Sequence, residues 1–372
     1  MSLEQAILKK LKIICPENKF YALHEPIFKG KEWDYTKDCL DTRWVSSVGK
    51  YVDEFEKSIA KFTGVKYAIA TSTGTAALHI SLLLAGVKPK DEVLVPTLTF
   101  VATVNAIAYC GAIPHFVDSD YKTLGINPKK LEEYLKDHYN RKIKALIVMH
   151  AFGHPVELSK ISKICKKYKI VLIEDAAEAL GSYYKNKHVG NWGKLSILSF
   201  NGNKLLTTGG GGMILTNNQK LATKAKFITT TAKKPHPYLF NHSELGYNYR
   251  LPNINAALGC AQMEYIDKTL SSKRKLAQNY KNIFKDIDGI KFFTEPKNCK
   301  SNYWLNILLL DKPNVKLRNK ILETTNAANI MTRPAWTLMH KLPMYKSCPK
   351  MNLDIATNLS KRLINIPSSA FL

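Results

Sequence analysis

Short apolar runs that alternate with helical patterns constrain this chain more than any other feature of its sequence. The runs fall at residues 66–71 (KYAIAT), 92–96 (EVLVP), 112–118 (AIPHFVD), 145–150 (ALIVMH), 170–175 (IVLIED), 195–200 (LSILSF) and 211–216 (GGMILT). Several are near-continuous in aliphatic residues, as strands covered on both faces are. Between many of them lie helical patterns at 75–86, 100–109, 128–138 and 157–168, the last with Leu158, Ile161, Ile164 and Cys165 at helical spacing. This alternation predicts an α/β fold around a mostly parallel sheet of about seven strands. After Arg250 the pattern changes to a long helix from 253 to about 284, then a mixed α+β stretch with a strand in 303–310 (YWLNILLL). A division inside the long helix is expected, giving a large domain over 1–265, N-terminal segment included, and a smaller one over 266–372.

Lys and Arg number 55 against 30 Asp and Glu, a formal charge of +25, which makes nucleic acid the first partner to weigh. The lysines are scattered over polar faces such as 129–144 and 273–284, with no arginine-rich arm, zinc spacing or aromatic RNA-binding signature. A solvated basic surface that attracts an anionic small substrate accounts for them without nucleic acid. The seven cysteines are widely spread, with no CxxC pair and no metal-ligand spacing, so no metal and a reducing cytoplasm are expected. The first 20 residues form an amphipathic helical pattern containing Glu4 rather than a signal peptide. No apolar run is long enough for a membrane span, so neither membrane nor secretion is expected.

Three features sit at the carboxyl ends of the expected strands, where α/β sheets bind ligands. Residues 72–75 (STGT) open a helix, so Gly74 and Thr75 offer free amides to a phosphate, although an ordinary cap by Ser72 or Thr73 reads equally from the pattern. Residues 174–178 (EDAAE) follow a buried strand. Acids there call for a cationic partner, or simply enrich a helix start. Lys204 lies between an apolar run and the glycine tract 209–212, with Ser199 five residues before it; a positioned lysine amine can form a Schiff base with a carbonyl. Phosphate cradle, buried acid and lysine, in that order, match the three handles of pyridoxal phosphate. Phe100, after another strand end, is placed to stack on its ring or to fill the core.

On segments 48–79, 91–107, 173–182, 199–212 and 246–259, within a likeness running from about 44 to 369, the chain resembles the DegT family of pyridoxal-phosphate-dependent sugar aminotransferases. The resemblance implies the aspartate-aminotransferase fold (fold type I). It makes Lys204 the lysine that binds the cofactor aldehyde and Asp175 the partner of the pyridine nitrogen. Gly74, Thr75 and Ser199 become phosphate ligands, and Phe100 the stacking ring. Asn248, in GYNYR, would reach the phosphate of a neighbouring subunit's cofactor, implying a homodimer with shared sites.

Glu178 stands where many members carry glutamine, so it either repels the cofactor's phenolate or holds a proton. Lys204 also separates the chain from related sugar dehydratases, which carry histidine there. Segments 199–204, 332–349 and 361–369 are similar to the subgroup of legionaminic-acid and related diamino-sugar pathways. That likeness implies glutamate as donor and a nucleotide-linked 4-keto-6-deoxy-(N-acetyl)hexosamine as acceptor. A 3-aminotransferase, a dehydratase or a retired cofactor-binding scaffold are the other readings. Arg250 is a candidate for a carboxylate or diphosphate, or for bracing a dimer. His340 is a candidate for substrate contact, or a buried structural histidine.

Overall fold

A computed structural model describes residues 1–17 and 19–372. Its central sheet comprises β1 (Tyr67–Thr71), β2 (Glu92–Pro96), β3 (Ile113–Val117), β4 (Ile143–Met149), β5 (Val171–Asp175), β6 (Leu195–Ser199) and β7 (Gly212–Thr216). Each coincides with one of the seven expected runs. The spatial order is β1-β7-β6-β5-β4-β2-β3, parallel except that β7 runs against both β1 and β6. Reversing one strand leaves β1, β2, β5 and β6 pointing the same way, so their carboxyl ends share an edge with the start of β7. Gly212 pairs with Thr71 on one side and Ser199 on the other.

Helices cover both faces, which explains the near-continuous apolar strands: β4 buries Ala145 through Met149 and β7 all five of its residues. The helix Pro128–His138 starts where the sequence pattern places it, with proline at its first position and Asn127 Oδ1 accepting from Lys130 N at 3.1 Å. The one long helix expected from 253 to 284 is instead two, Asn253–Glu264 and Ile266–Phe284, broken at Tyr265. Neither proline nor glycine stands at the break. The first helix buries small residues (Ala256, Ala257, Gly259, Ala261) against the helices Glu32–Asp41 and Lys50–Thr63. The second buries Leu276, Tyr280 and Phe284 in a different core, and the chain turns between the two.

That second core joins a four-stranded antiparallel sheet, Ile290–Phe292, Asn306–Leu310, Leu363–Ile366 and Arg333–Pro334, to the helix Val315–Ala327. The helix Leu3–Ile14 packs here too, through Ile7 and Leu11. By its contacts the N-terminal segment therefore goes with the C-terminal part of the chain rather than with the seven-stranded sheet. The strand expected in 303–310 begins only at Asn306, so Trp304 precedes it.

Asp118, just after β3, ties the two parts together. Its carboxylate accepts the amides of Ile355 (3.2 Å) and Ala356 (2.9 Å) at the start of the helix Asp354–Ser360, and pairs with Lys130. Replacing Asp118 with alanine should cost about 2–4 kcal/mol in urea unfolding, because it strands two helix-start amides and a lysine. Asp118→Asn, which keeps an acceptor, should lose less.

Candidate active site

β6 ends at Ser199, and the turn that follows, closed by Lys204 N donating to Asn201 O at 2.9 Å, delivers Lys204 to the shared edge. Its side chain is 13% exposed, which excludes a solvated surface lysine. Nζ lies 3.3 Å from Glu178 Oε1 and 4.0 Å from the centroid of the Trp304 ring. Together these groups line a cavity of about 300 Å³ that also receives Gly74, Thr75, Phe100, Asp175 and Ser199. Seven residues singled out in the sequence thus meet in one place.

The alternation of β5 separates its two acids. Glu174 turns away from the cavity, where its carboxylate accepts from the amides of Gly190, Trp192 and Gly193, from Ser196 Oγ, and contacts His150. Burial raises its pKa, but the His150 contact and these amides outweigh that and hold it below the usual range. Asp175 faces the cavity. Its Oδ2 accepts from Thr103 Oγ1 at 2.7 Å and its Oδ1 from Ala177 N at 3.1 Å, yet burial still pushes its pKa up. Glu178, buried between Lys204 and the amide of Phe152 (2.8 Å), is pushed up by burial to about 7, despite Lys204 and that amide favouring the charged form. To donate that amide Phe152 adopts a left-handed backbone (φ 58°), a strained conformation for an aromatic residue.

At the other end of the cavity Thr73 caps the helix Gly74–Leu84, its Oγ1 accepting from Ala76 N at 3.0 Å. Capping and anion binding do not compete here: the cap consumes the third amide, while those of Gly74 and Thr75 have no intrahelical acceptor. A Cβ on Gly74 would stand 2.9 Å from Ser199 Cβ, and one on Gly212 would meet the Thr73 backbone at 2.4 Å. Glycine at both positions lets the loop after β1 close onto the ends of β6 and β7.

Phe100 is 47% exposed at the mouth, not a core residue. Asn248, Arg250 and His340 do not reach the cavity wall of their own chain. Arg250 Nε donates to Asn248 Oδ1 at 3.1 Å on an outer strap whose Tyr249 carbonyl accepts from Ser72 N at 2.9 Å, directly behind the phosphate-type loop. His340 Nδ1 lies 2.7 Å from Thr97 Oγ1, docking its short helix on the end of β2. The cavity also has walls that the sequence reading passed over: Thr103, Trp304 and Trp336. Trp336 follows Pro334 in a loop rather than a periodic run, which was a usable signal. Thr103 lay inside an apolar helical pattern and carried none.

Phosphate-type amides, a buried carboxylate and a sheltered lysine on one cavity fit pyridoxal phosphate at three separate points. Residues 26–372 match the DegT/DnrJ/EryC1/StrS aminotransferase family. The chain belongs to that family. It is a pyridoxal-phosphate-dependent aminotransferase of the expected fold.

Among its relatives is a GDP-perosamine synthase of Escherichia coli O157:H7, 39% identical over 353 residues, covering 94% of this chain and 93% of the relative. A UDP-4-amino-4,6-dideoxy-N-acetyl-beta-L-altrosamine transaminase of Campylobacter jejuni is 35% identical over 322 residues, covering 86% of this chain and 85% of the relative. The solved structure of Helicobacter pylori PseC, an aminotransferase involved in the biosynthesis of pseudoaminic acid, superposes with a TM-score of 0.88 at 26% identity, covering 95% of this chain and 94% of that one. Among the described residues no helix is long and apolar enough to cross a membrane, and all seven cysteines are free thiols.

The Glu178 carboxyl makes stability depend on pH. It titrates near 7 when folded against 4.5 as reference, so between these values the native state keeps a proton that the unfolded chain has released, and stability falls as pH rises. Glu178→Gln keeps an acceptor for Phe152 and removes the titration. Chemical unfolding of the cofactor-free proteins should show no gain for this variant below about pH 4.5, and a gain on the order of 2–3 kcal/mol at pH 8.

Proposed function

We propose that this aminotransferase moves an amino group from glutamate to a nucleotide-linked 4-keto-6-deoxyhexose. The observation that carries the reading is the sheltered Lys204 amine, set between the carboxylate end and the phosphate end of one cavity. In this reading the amides of Gly74 and Thr75 and the Ser199 hydroxyl hold the cofactor phosphate, Asp175 keeps a proton on the ring nitrogen, and Phe100 covers the ring. When bound, pyridoxal phosphate supplies an aldehyde for amines and a ring that withdraws electrons. Lys204 Nζ would hold that aldehyde at rest and, when free, would take and return the proton at the substrate carbon. Thr103 fixes the orientation of Asp175, and Glu178 restrains the amine. GDP in one relative's name and UDP with an N-acetyl group in the other's support a nucleotide sugar aminated at C4.

A homodimer with shared sites completes the reading. Tyr238, Phe240 and Leu245 are each more than 75% exposed beside the Asn248–Arg250 strap, an apolar surface that a lone subunit leaves in water. Across a twofold interface Asn248 of one subunit serves its partner's phosphate, and Arg250 offers a planar fork for the donor carboxylate or the sugar diphosphate.

Lys204→Ala and Asn248→Ala homodimers should each lose activity. Refolded together they should recover roughly a quarter of the wild-type rate, since half the dimers would carry one intact site. No recovery would end the shared-site reading. The acceptor is tested by loading the protein with pyridoxamine phosphate and adding GDP-, UDP- and dTDP-linked 4-keto-6-deoxyhexoses, with and without a 2-acetamido group, beside a 3-keto isomer. Aldehyde absorbance should return with a 4-keto sugar; a response to the 3-keto isomer alone would reassign the carbon.

A further inference from the structure

Trp304 is a wall of the cavity beside Lys204, and each of its polar groups is engaged within the protein. It is 5% exposed. Its indole N–H donates to the carbonyl of Asn203, the residue before Lys204, at 2.8 Å, while the indole face stands 4.0 Å from Lys204 Nζ. Its amide donates to Asn302 Oδ1 at 2.8 Å, and Asn302 Nδ2 donates to the carbonyls of Glu178 and Leu180, each at 2.9 Å. Its carbonyl accepts from Lys273 Nζ at 2.8 Å. One residue from the C-terminal part of the chain therefore holds both the backbone beside Lys204 and its amine, and is anchored to the segment that carries Glu178.

The anchor behind it is costly. Lys273 is fully buried, and its amine is satisfied by two carbonyls, those of Trp304 and Ser368. Burial drives its pKa well down, toward a neutral amine that still donates. A buried lysine spent on a main-chain carbonyl makes sense where the position of that carbonyl matters. Lys204 has a four-carbon stem with many rotamers, and a reacting amine held in one of them reacts faster than a free one.

We propose that Trp304 is a positioning residue for Lys204: its ring N–H fixes the turn and its face fixes the amine, so the docking of residues 302–304 sets the lysine for capture of the cofactor aldehyde. The proposal rests on Lys204 being the capturing lysine. The ring face meets the amine where the lysine side chain is sheltered from water, so the contact limits its rotamers.

The test compares cofactor-free wild type, Trp304→Leu and Trp304→Phe in two binding measurements. Capture of pyridoxal phosphate is followed in time by borohydride reduction and the mass of the Lys204 peptide. Affinity is measured separately for pyridoxamine phosphate, which cannot condense with a lysine. Trp304→Leu should slow capture about tenfold, a loss several-fold larger than its loss of pyridoxamine phosphate affinity. Trp304→Phe, which keeps a ring but loses the bond to Asn203, should fall between and decides the same comparison if the leucine variant does not fold. Capture at the wild-type rate in the variants, or an equal loss for both forms of the cofactor, would overturn the proposal. No capture at residue 204 in the wild type would instead overturn the assignment of Lys204, and this proposal with it.

Discussion

Asp175 and Glu178 can stay buried at the sheet edge only because each is compensated there: Thr103 and the Ala177 amide serve one, the Phe152 amide and the Lys204 ammonium the other. Lys204 depends on them in return, since a lysine this sheltered needs a negative neighbour or an aromatic face, and it has both. The balance is incomplete for the carboxyls. Burial still pushes both toward the protonated form. The strained backbone of Phe152 has its physical account here, in the amide it aims at Glu178.

The reversed strand β7 supplies the geometry for this chemistry. By pairing with β1 and β6 together it brings the loops after both strands side by side, so the phosphate-type amides and Lys204 arise from positions about 130 residues apart in the chain yet share one opening. Glycine at 212 is what lets the backbone of the Thr73 loop come that close.

Much of this was legible in the sequence because its signals are local. Seven strands announced themselves as apolar runs. Lys204, Asp175, Gly74, Thr75, Ser199 and Phe100 stood at strand ends, where α/β sheets place their ligands. The parts that were not legible depend on residues distant in the chain. The break at Tyr265 lacks proline or glycine and follows from two helices packing on different cores. Trp304 looked like part of a strand, and only the docking of residues 302–304 onto the Lys204 turn shows its surroundings. Asn248 and Arg250 do not line the cavity of their own chain, so the role that the resemblance implies for Asn248 does not follow from the fold of one chain. His340 read equally as ligand or as structural histidine, and its contact with Thr97, half-buried, is compatible with both.

The helix Leu3–Ile14 packs its Ile7 and Leu11 onto residues that lie beyond position 270. Twelve residues are too few for a helix to persist in water without a surface to rest on. Until that surface has assembled, the segment is a free apolar stripe flanked by lysines. Its order therefore depends on a core that it does not adjoin in the chain.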